Sequence, residues 1–162
     1  DGTTYQYNNI STLKFYNLER SNNTGKICAS GNYCNDTVPR TTTWTGKIGL
    51  MYPSDYGYAT SGGSGVARET CLTKVLYGWK DNAVNDCKSN NWLYDNSISQ
   101  WAMLPIARSG YANDVITVSN NGNADDHFAN NAYASFPTVY LQENVKVASG
   151  NGTMTEPYLL KI

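Results

Sequence analysis

Lys47-Ile-Gly-Leu-Met-Tyr-Pro-Ser-Asp-Tyr-Gly-Tyr-Ala59, KIGLMYPSDYGYA, packs more apolar and aromatic mass into a short window than any other part of the 162-residue chain. Ile48, Leu50 and Tyr52 alternate with Gly49 and Met51, which suits a strand with one buried face. Pro53 has no N–H to donate and stops the ladder. Ser54 and Asp55 each offer an oxygen to cap a short helix carrying Tyr56 and Tyr58. The stretch is expected to be the central strand-to-helix junction, with both tyrosines packed inside.

Upstream, Tyr5–Tyr7 and Leu13–Tyr16 read as strand pieces, and Asn22, Asn23 and Gly25 form a turn cluster. Downstream, residues 60–65 form a Gly-Ser loop, and no G-x4-G-K-[ST] phosphate cradle occurs anywhere in the chain. Between Glu69 and Trp79 the spacing of Leu72, Val75, Leu76 and Trp79 predicts a short helix or a turn-rich segment, ended or weakened at Gly78. Asn90–Tyr94 is expected to bring Trp92 and Leu93 to the core. Beyond residue 95 the chain reads as β. Strands are predicted over Trp101–Ile106, closing at Pro105, and over Asp114–Ser119, turning at Asn120-Asn-Gly122. A weaker partner strand follows near Asp126–Ala129. Pro137–Leu141 starts on a proline, which a first strand position tolerates. Asn144–Val147 and Pro157–Ile162 flank a turn at Ser149-Gly-Asn-Gly152. With no repeat and no linker, residues 1–162 are expected to form one α+β domain, mostly antiparallel strands with one or two short helices and long loops.

Charged residues make up only 15% of the chain, below the usual quarter, so Asn, Ser, Thr and Gly must supply the polar surface. This is common in extracellular and cell-surface proteins. The net charge of −1 gives no electrostatic footprint for nucleic acid or an anionic membrane. No apolar run approaches the roughly 18–20 residues that span a bilayer, so no membrane contact by this segment is expected. No signal peptide is seen; the chain reads as a mature or trimmed form whose anchor would lie upstream. Four cysteines, Cys28, Cys34, Cys71 and Cys87, allow three pairings. The local pairs 28–34 and 71–87 are the expectation, each contributing roughly 2–3 kcal/mol by the chain-entropy model. A four-cysteine zinc site is disfavoured because no C-x2-C pair exists.

Four pieces, in order, carry a resemblance: Trp44-Thr-Gly-Lys-Ile-Gly-Leu-Met-Tyr-Pro-Ser-Asp-Tyr-Gly-Tyr-Ala59; Cys71 with Cys87-Lys-Ser-Asn-Asn-Trp-Leu93; Trp101-Ala-Met-Leu-Pro105; and Pro137-Thr-Val-Tyr-Leu141 through Glu156-Pro-Tyr-Leu159. Over residues 44–162 the chain resembles a family of secreted or surface proteins of Gram-positive bacteria. Its members look like C-type-lectin-like domains, distantly similar to formylglycine-generating enzymes, and often follow a prepilin-type N-terminus. The resemblance implies a C-type-lectin-like fold. Phe136 stands where the family has an arginine, so no site built on that arginine is carried over. The calcium–sugar triplet of the wider lectin fold is also missing: Glu156-Pro157 is followed by Tyr158, and Trp92 by Leu93.

The site candidates follow from residue chemistry. His127, the one histidine, has Asp125 and Asp126 beside it, but the expected reading is a solvated loop histidine, and no G-x-S-x-G elbow occurs. Asp125 and Asp126 with Asn121 and Asn123, or Asp95 with Asn96 and Ser97, offer oxygen ligands at spacings unlike an EF-hand. No metal and no cofactor are expected. Thirteen tyrosines and four tryptophans among Asn, Ser and Gly make adaptable contact surfaces. The expected ligand-binding residues are Tyr94, Tyr111, Asn113, Asn121, Asp125, Asp126 and Phe128, on loops between Trp92 and Phe136. The reading is a non-catalytic extracellular binding or adhesion module for a protein or glycan ligand. The alternatives are a pilin-like subunit contacting other pilus subunits and a formylglycine-generating-type enzyme.

Overall fold

Helices form early in the chain and strands late. A computed structural model describes residues 10–19, 46–105, 113–151 and 155–162. Helices α1 (Thr12–Glu19), α2 (Pro53–Tyr58), α3 (Arg68–Thr73) and α4 (Asn85–Ser89) come first, with 3-10 turns over Leu76–Lys80 and Asn82–Val84. Strands β1 (Gln100–Pro105), β2 (Asp114–Val118) and β3 (Ala124–Phe128) form one antiparallel sheet in that order, and β4 (Lys146–Ser149) pairs with β5 (Leu159–Lys161) in a second. The fold is α+β. No helix among the described residues is long and apolar enough to cross a membrane.

Helix α2 is the hub, touching α1, α3, β1 and β2. Its Tyr56 is fully buried, with its ring 5.3 Å from that of Trp79. The Tyr56 hydroxyl donates to the Gly122 carbonyl at 2.8 Å, and the Asn91 side-chain amide donates to the Tyr56 carbonyl at 2.6 Å. Ile10, Phe15, Met51, Leu76, Ala102, Ile116, Val118 and Ala124 complete the core. Asp55 reaches back to accept the Tyr52 N–H at 2.8 Å, the second half of a capping box. Ser54 is no cap. Its N–H donates to the Glu19 carboxylate at 3.0 Å and its hydroxyl donates to the same group, so α1 places an anion at the start of α2.

The approach to α2 decides which face is buried. Ile48 is 59% exposed while Met51 is buried. Gly49 and Thr138 exchange backbone hydrogen bonds at 2.9 Å each, and the Met51 carbonyl accepts the Met103 N–H at 2.7 Å. A Cβ on Gly49 would lie 3.5 Å from Met103 Sδ. The Gly49 and Met51 face therefore turns inward, with Met103 packed beside Gly49 at ordinary contact distance. Both Lys47–Tyr52 and Pro137–Leu141 make a single isolated bridge here, Gly49 to Thr138, rather than full strands.

Three further expectations change. Leu13–Tyr16 lies in a helix, because Thr12, Phe15 and Glu19 meet α2 at helical spacing while Leu13 is exposed; a strand would have turned Leu13 and Phe15 the same way. The predicted Glu69–Trp79 helix breaks at Lys74 and Val75. Val75 bridges to Ser11, and the Leu76 N–H donates to the Ile10 carbonyl at 3.1 Å. Trp92 is 78% exposed rather than in the core. Cys71 and Cys87 form the expected disulfide, joining α3 to α4 with Cα atoms 5.5 Å apart. Cys28 and Cys34 lie outside the described residues.

Two outcomes are expected. A Cβ at Gly57 would stand 2.1 Å from Thr12 Oγ1, so Gly57→Ala should cost about 1–3 kcal/mol in urea unfolding by forcing α1 off α2. Gly78→Ala, whose nearest neighbour is Asp81 at 3.8 Å, should stay within about 0.5 kcal/mol. Burial, and then the nearby Tyr94, raise the Tyr56 phenol pKa above its ordinary 10.0. Above about pH 10 the unfolded chain then binds fewer protons than the folded one, so stability is whole below that pH and falls as pH rises. Burial, then Asp55, raise Tyr140 and add to the same fall. Tyr56→Phe should lose about 1 kcal/mol at neutral pH and flatten part of the alkaline decline, read from urea midpoints against pH.

Candidate functional site

After α4 the chain makes an abrupt outward turn. Asn91 is buried, with its amide committed to Tyr56 and its Oδ1 accepting the Leu93 N–H at 2.9 Å. That Asx turn points Asn91 inward and leaves its neighbour no room inside. Trp92 donates its backbone N–H to the Ala59 carbonyl at 3.4 Å, but its indole makes no hydrogen bond, ring stack or cation contact among the described residues.

Beside Trp92 lies an open cleft of about 590 Å³. Leu93, Tyr94, Asp95 and Asn96 continue its wall, and Phe136 closes it from the far side at 40% exposure. Buried Gln100 supports the wall by donating from Nε2 to the Leu93 carbonyl at 2.7 Å. Tyr94 donates its hydroxyl to the Asn120 carbonyl at 2.8 Å, which ties the cleft to the β2–β3 turn. Burial, then Asp95, raise the Tyr94 phenol pKa. Asp95 Oδ1 accepts both the Ser97 hydroxyl, at 2.5 Å, and the Ser97 N–H, at 2.8 Å. Those bonds, the hydroxyl foremost, hold the carboxyl below the usual carboxylate range.

The β2–β3 turn is rigid for a stated reason. Gly122 sits at φ +91°, open to glycine at little cost, and its N–H donates to the Ser119 carbonyl at 2.8 Å. Lys88 donates to the Asn121 carbonyl at 3.1 Å and the Lys80 carbonyl at 3.2 Å, pinning the turn from α4.

The residues expected to bind ligand are not gathered in one place. Tyr94 lines the cleft and Asn121 sits in the adjacent turn, where its Oδ1 accepts the Asn123 N–H at 3.2 Å. Asp125 and Asp126 are neighbours on β3, so the strand's alternation turns them to opposite faces. Asp125 accepts the Asn123 amide at 3.1 Å and the Asp126 N–H at 2.9 Å. Asn113 and Phe128 are at the other end of the strand pair, about 13 Å from Ala124 at the usual rise per residue. Tyr111 lies outside the described residues. His127 is a strand residue rather than a loop one, edge-on to Tyr133 with ring centroids 5.2 Å apart. Among the described residues no three His, Cys, Asp or Glu side chains are grouped to hold a metal ion.

Trp92 and Phe136 were missed as site residues. Asn90-Asn-Trp-Leu-Tyr-Asp-Asn96 has no apolar period, so nothing in it demanded burial of the indole. That absence was the usable signal.

No protein-family model, curated protein or solved structure matches the chain.

Ser97→Ala removes the larger support of the Asp95 carboxylate. The Asp95 pKa should rise toward its ordinary value in a carbon-detected NMR titration, with the fold unchanged because both residues are at the surface.

Proposed function

We propose that this chain is a non-catalytic extracellular or cell-surface binding module with a C-type-lectin-like fold, and that it takes a protein or glycan ligand into the cleft beside Trp92. The observation that carries the reading is the indole itself, 78% exposed at that cleft and without a partner among the described residues. A large aromatic left in water forgoes burial worth about 1.5–3 kcal/mol, which a covering ligand recovers. Tryptophan at the edge of a pocket is also the residue type that dominates binding hot spots.

The surrounding chemistry supports the same reading. The wall residues are held by Asn91, Gln100 and the Tyr94 bond, so a ligand meets a pre-arranged surface rather than one it must order. The mix of short helices, antiparallel strands and long connections supports the lectin-like architecture. The Cys71–Cys87 disulfide supports an oxidising compartment. It also argues against a formylglycine-generating reaction, because two bonded, buried sulfurs offer no thiolate.

A second reading, a pilin-like subunit, is favoured by a different observation. Val147 and Leu160 are exposed cross-strand partners on β4 and β5, with exposed Ile162 on the same side of the strand alternation, and apolar surface of this kind marks subunit contacts.

A glycan and protein binding screen with the native protein and Trp92→Ala separates them. The proposal expects a ligand whose affinity falls at least about tenfold in the variant, with stability within about 0.5 kcal/mol of native. A ligand indifferent to Trp92 overturns it. Concentration-dependent assembly abolished by Leu160→Asp, with no Trp92-dependent ligand, favours the pilin-like reading.

A further inference from the structure

We infer that the cleft beside Trp92 recognises an organic ammonium group carried by its ligand. This rests on the binding reading above and narrows its chemistry. Of the described residues lining the cleft, Asp95 alone is charged; Trp92, Tyr94 and Phe136 supply ring surface, and no described lysine, arginine or histidine takes part. Rings with one carboxylate and no cation are the surroundings that an alkylammonium ion favours, since ring faces and carboxylate attract it together.

The hydrogen-bond inventory points the same way. Two donors of the wall are turned inward, the Tyr94 hydroxyl to the Asn120 carbonyl and the Gln100 amide to the Leu93 carbonyl. The nearest cation along the chain, Lys88, is turned to the carbonyls of Lys80 and Asn121. On Asp95, Oδ1 is taken by Ser97, while Oδ2 makes no hydrogen bond among the described residues. The cleft thus joins ring faces to one carboxylate, and its described lining carries no cation. An anionic ligand would meet Asp95 with nothing to offset it. An ammonium ion finds carboxylate and ring faces together.

The test uses native protein and choline, with 3,3-dimethyl-1-butanol as its uncharged isostere, followed by the NMR signal of the Trp92 indole N–H. That signal is assigned with Trp92→Phe. Choline should bind at least about fivefold tighter than the isostere, and Asp95→Asn should shrink the ratio below about twofold. The substituted amide keeps an acceptor for Ser97, and circular dichroism confirms the fold. N-acetyl-lysine methylamide and glucosamine then distinguish an ammonium borne by a protein from one borne by a glycan. Equal binding of choline and the isostere, no shift with either, or a ratio unmoved by Asp95→Asn overturns the inference. A neutral ligand that depends on Trp92 overturns the inference but keeps the binding reading. No Trp92-dependent ligand of any kind overturns both.

Discussion

The burial of Tyr56 is the constraint on which the remaining structure depends. A phenol in an apolar core must place its hydroxyl, and Tyr56 does so on the Gly122 carbonyl, 66 positions along the chain. Its ring covers Trp79 and its own carbonyl takes the Asn91 amide. One residue on, Gly57 lets α1 approach to side-chain contact. One residue back, Asp55 accepts the Tyr52 N–H and the Tyr140 hydroxyl, the latter at 2.6 Å. Three consecutive residues thereby fix α1, the β2–β3 turn, the chain after α4 and the segment after Phe136.

The cleft is a consequence of that arrangement. Asn91 can serve Tyr56 only by pointing inward, and its Asx turn then sends Trp92 out. Tyr94 reaches the same β2–β3 turn that receives Tyr56, so the Tyr94 wall of the cleft and the core are referred to one hairpin. Opposite, Gly49 pairs with Thr138, two residues past Phe136, which places the far wall. The edge of the three-stranded sheet is kept quiet by β3's own chemistry. The Asp125 carboxylate takes the Asp126 N–H, one of the groups an added strand would need.

The junction was legible in KIGLMYPSDYGYA because Pro53 and Asp55 carry local, short-range signals. So were β1, β2, the turn at Asn120-Asn-Gly122 and the Cys71–Cys87 pair. The inward face of Lys47–Tyr52 was not legible. Alternation leaves both faces open, and Gly49 and Met51 face inward where Met103, more than fifty residues away, pairs with the Met51 carbonyl. Helix α1 was misread for a related reason: Phe15 is buried by contact with α2, and TLKFYNLE has too little periodicity to show it. The site suffered most. Asp125 and Asp126 looked like one pair in sequence and are split by the pleat. Trp92 looked like core and is the most exposed tryptophan described, because the buried polar Asn91 takes its place.

The central claim is that a core organised by Tyr56 and Trp79 holds Trp92 in open solvent at the cleft. Fluorine NMR of protein labelled with 5-fluorotryptophan tests this directly, with signals assigned by single Trp→Phe variants and a soluble gadolinium chelate added. The account predicts that the Trp92 signal broadens strongly while the Trp79 signal stays sharp. A Trp92 signal as protected as that of Trp79 would contradict it.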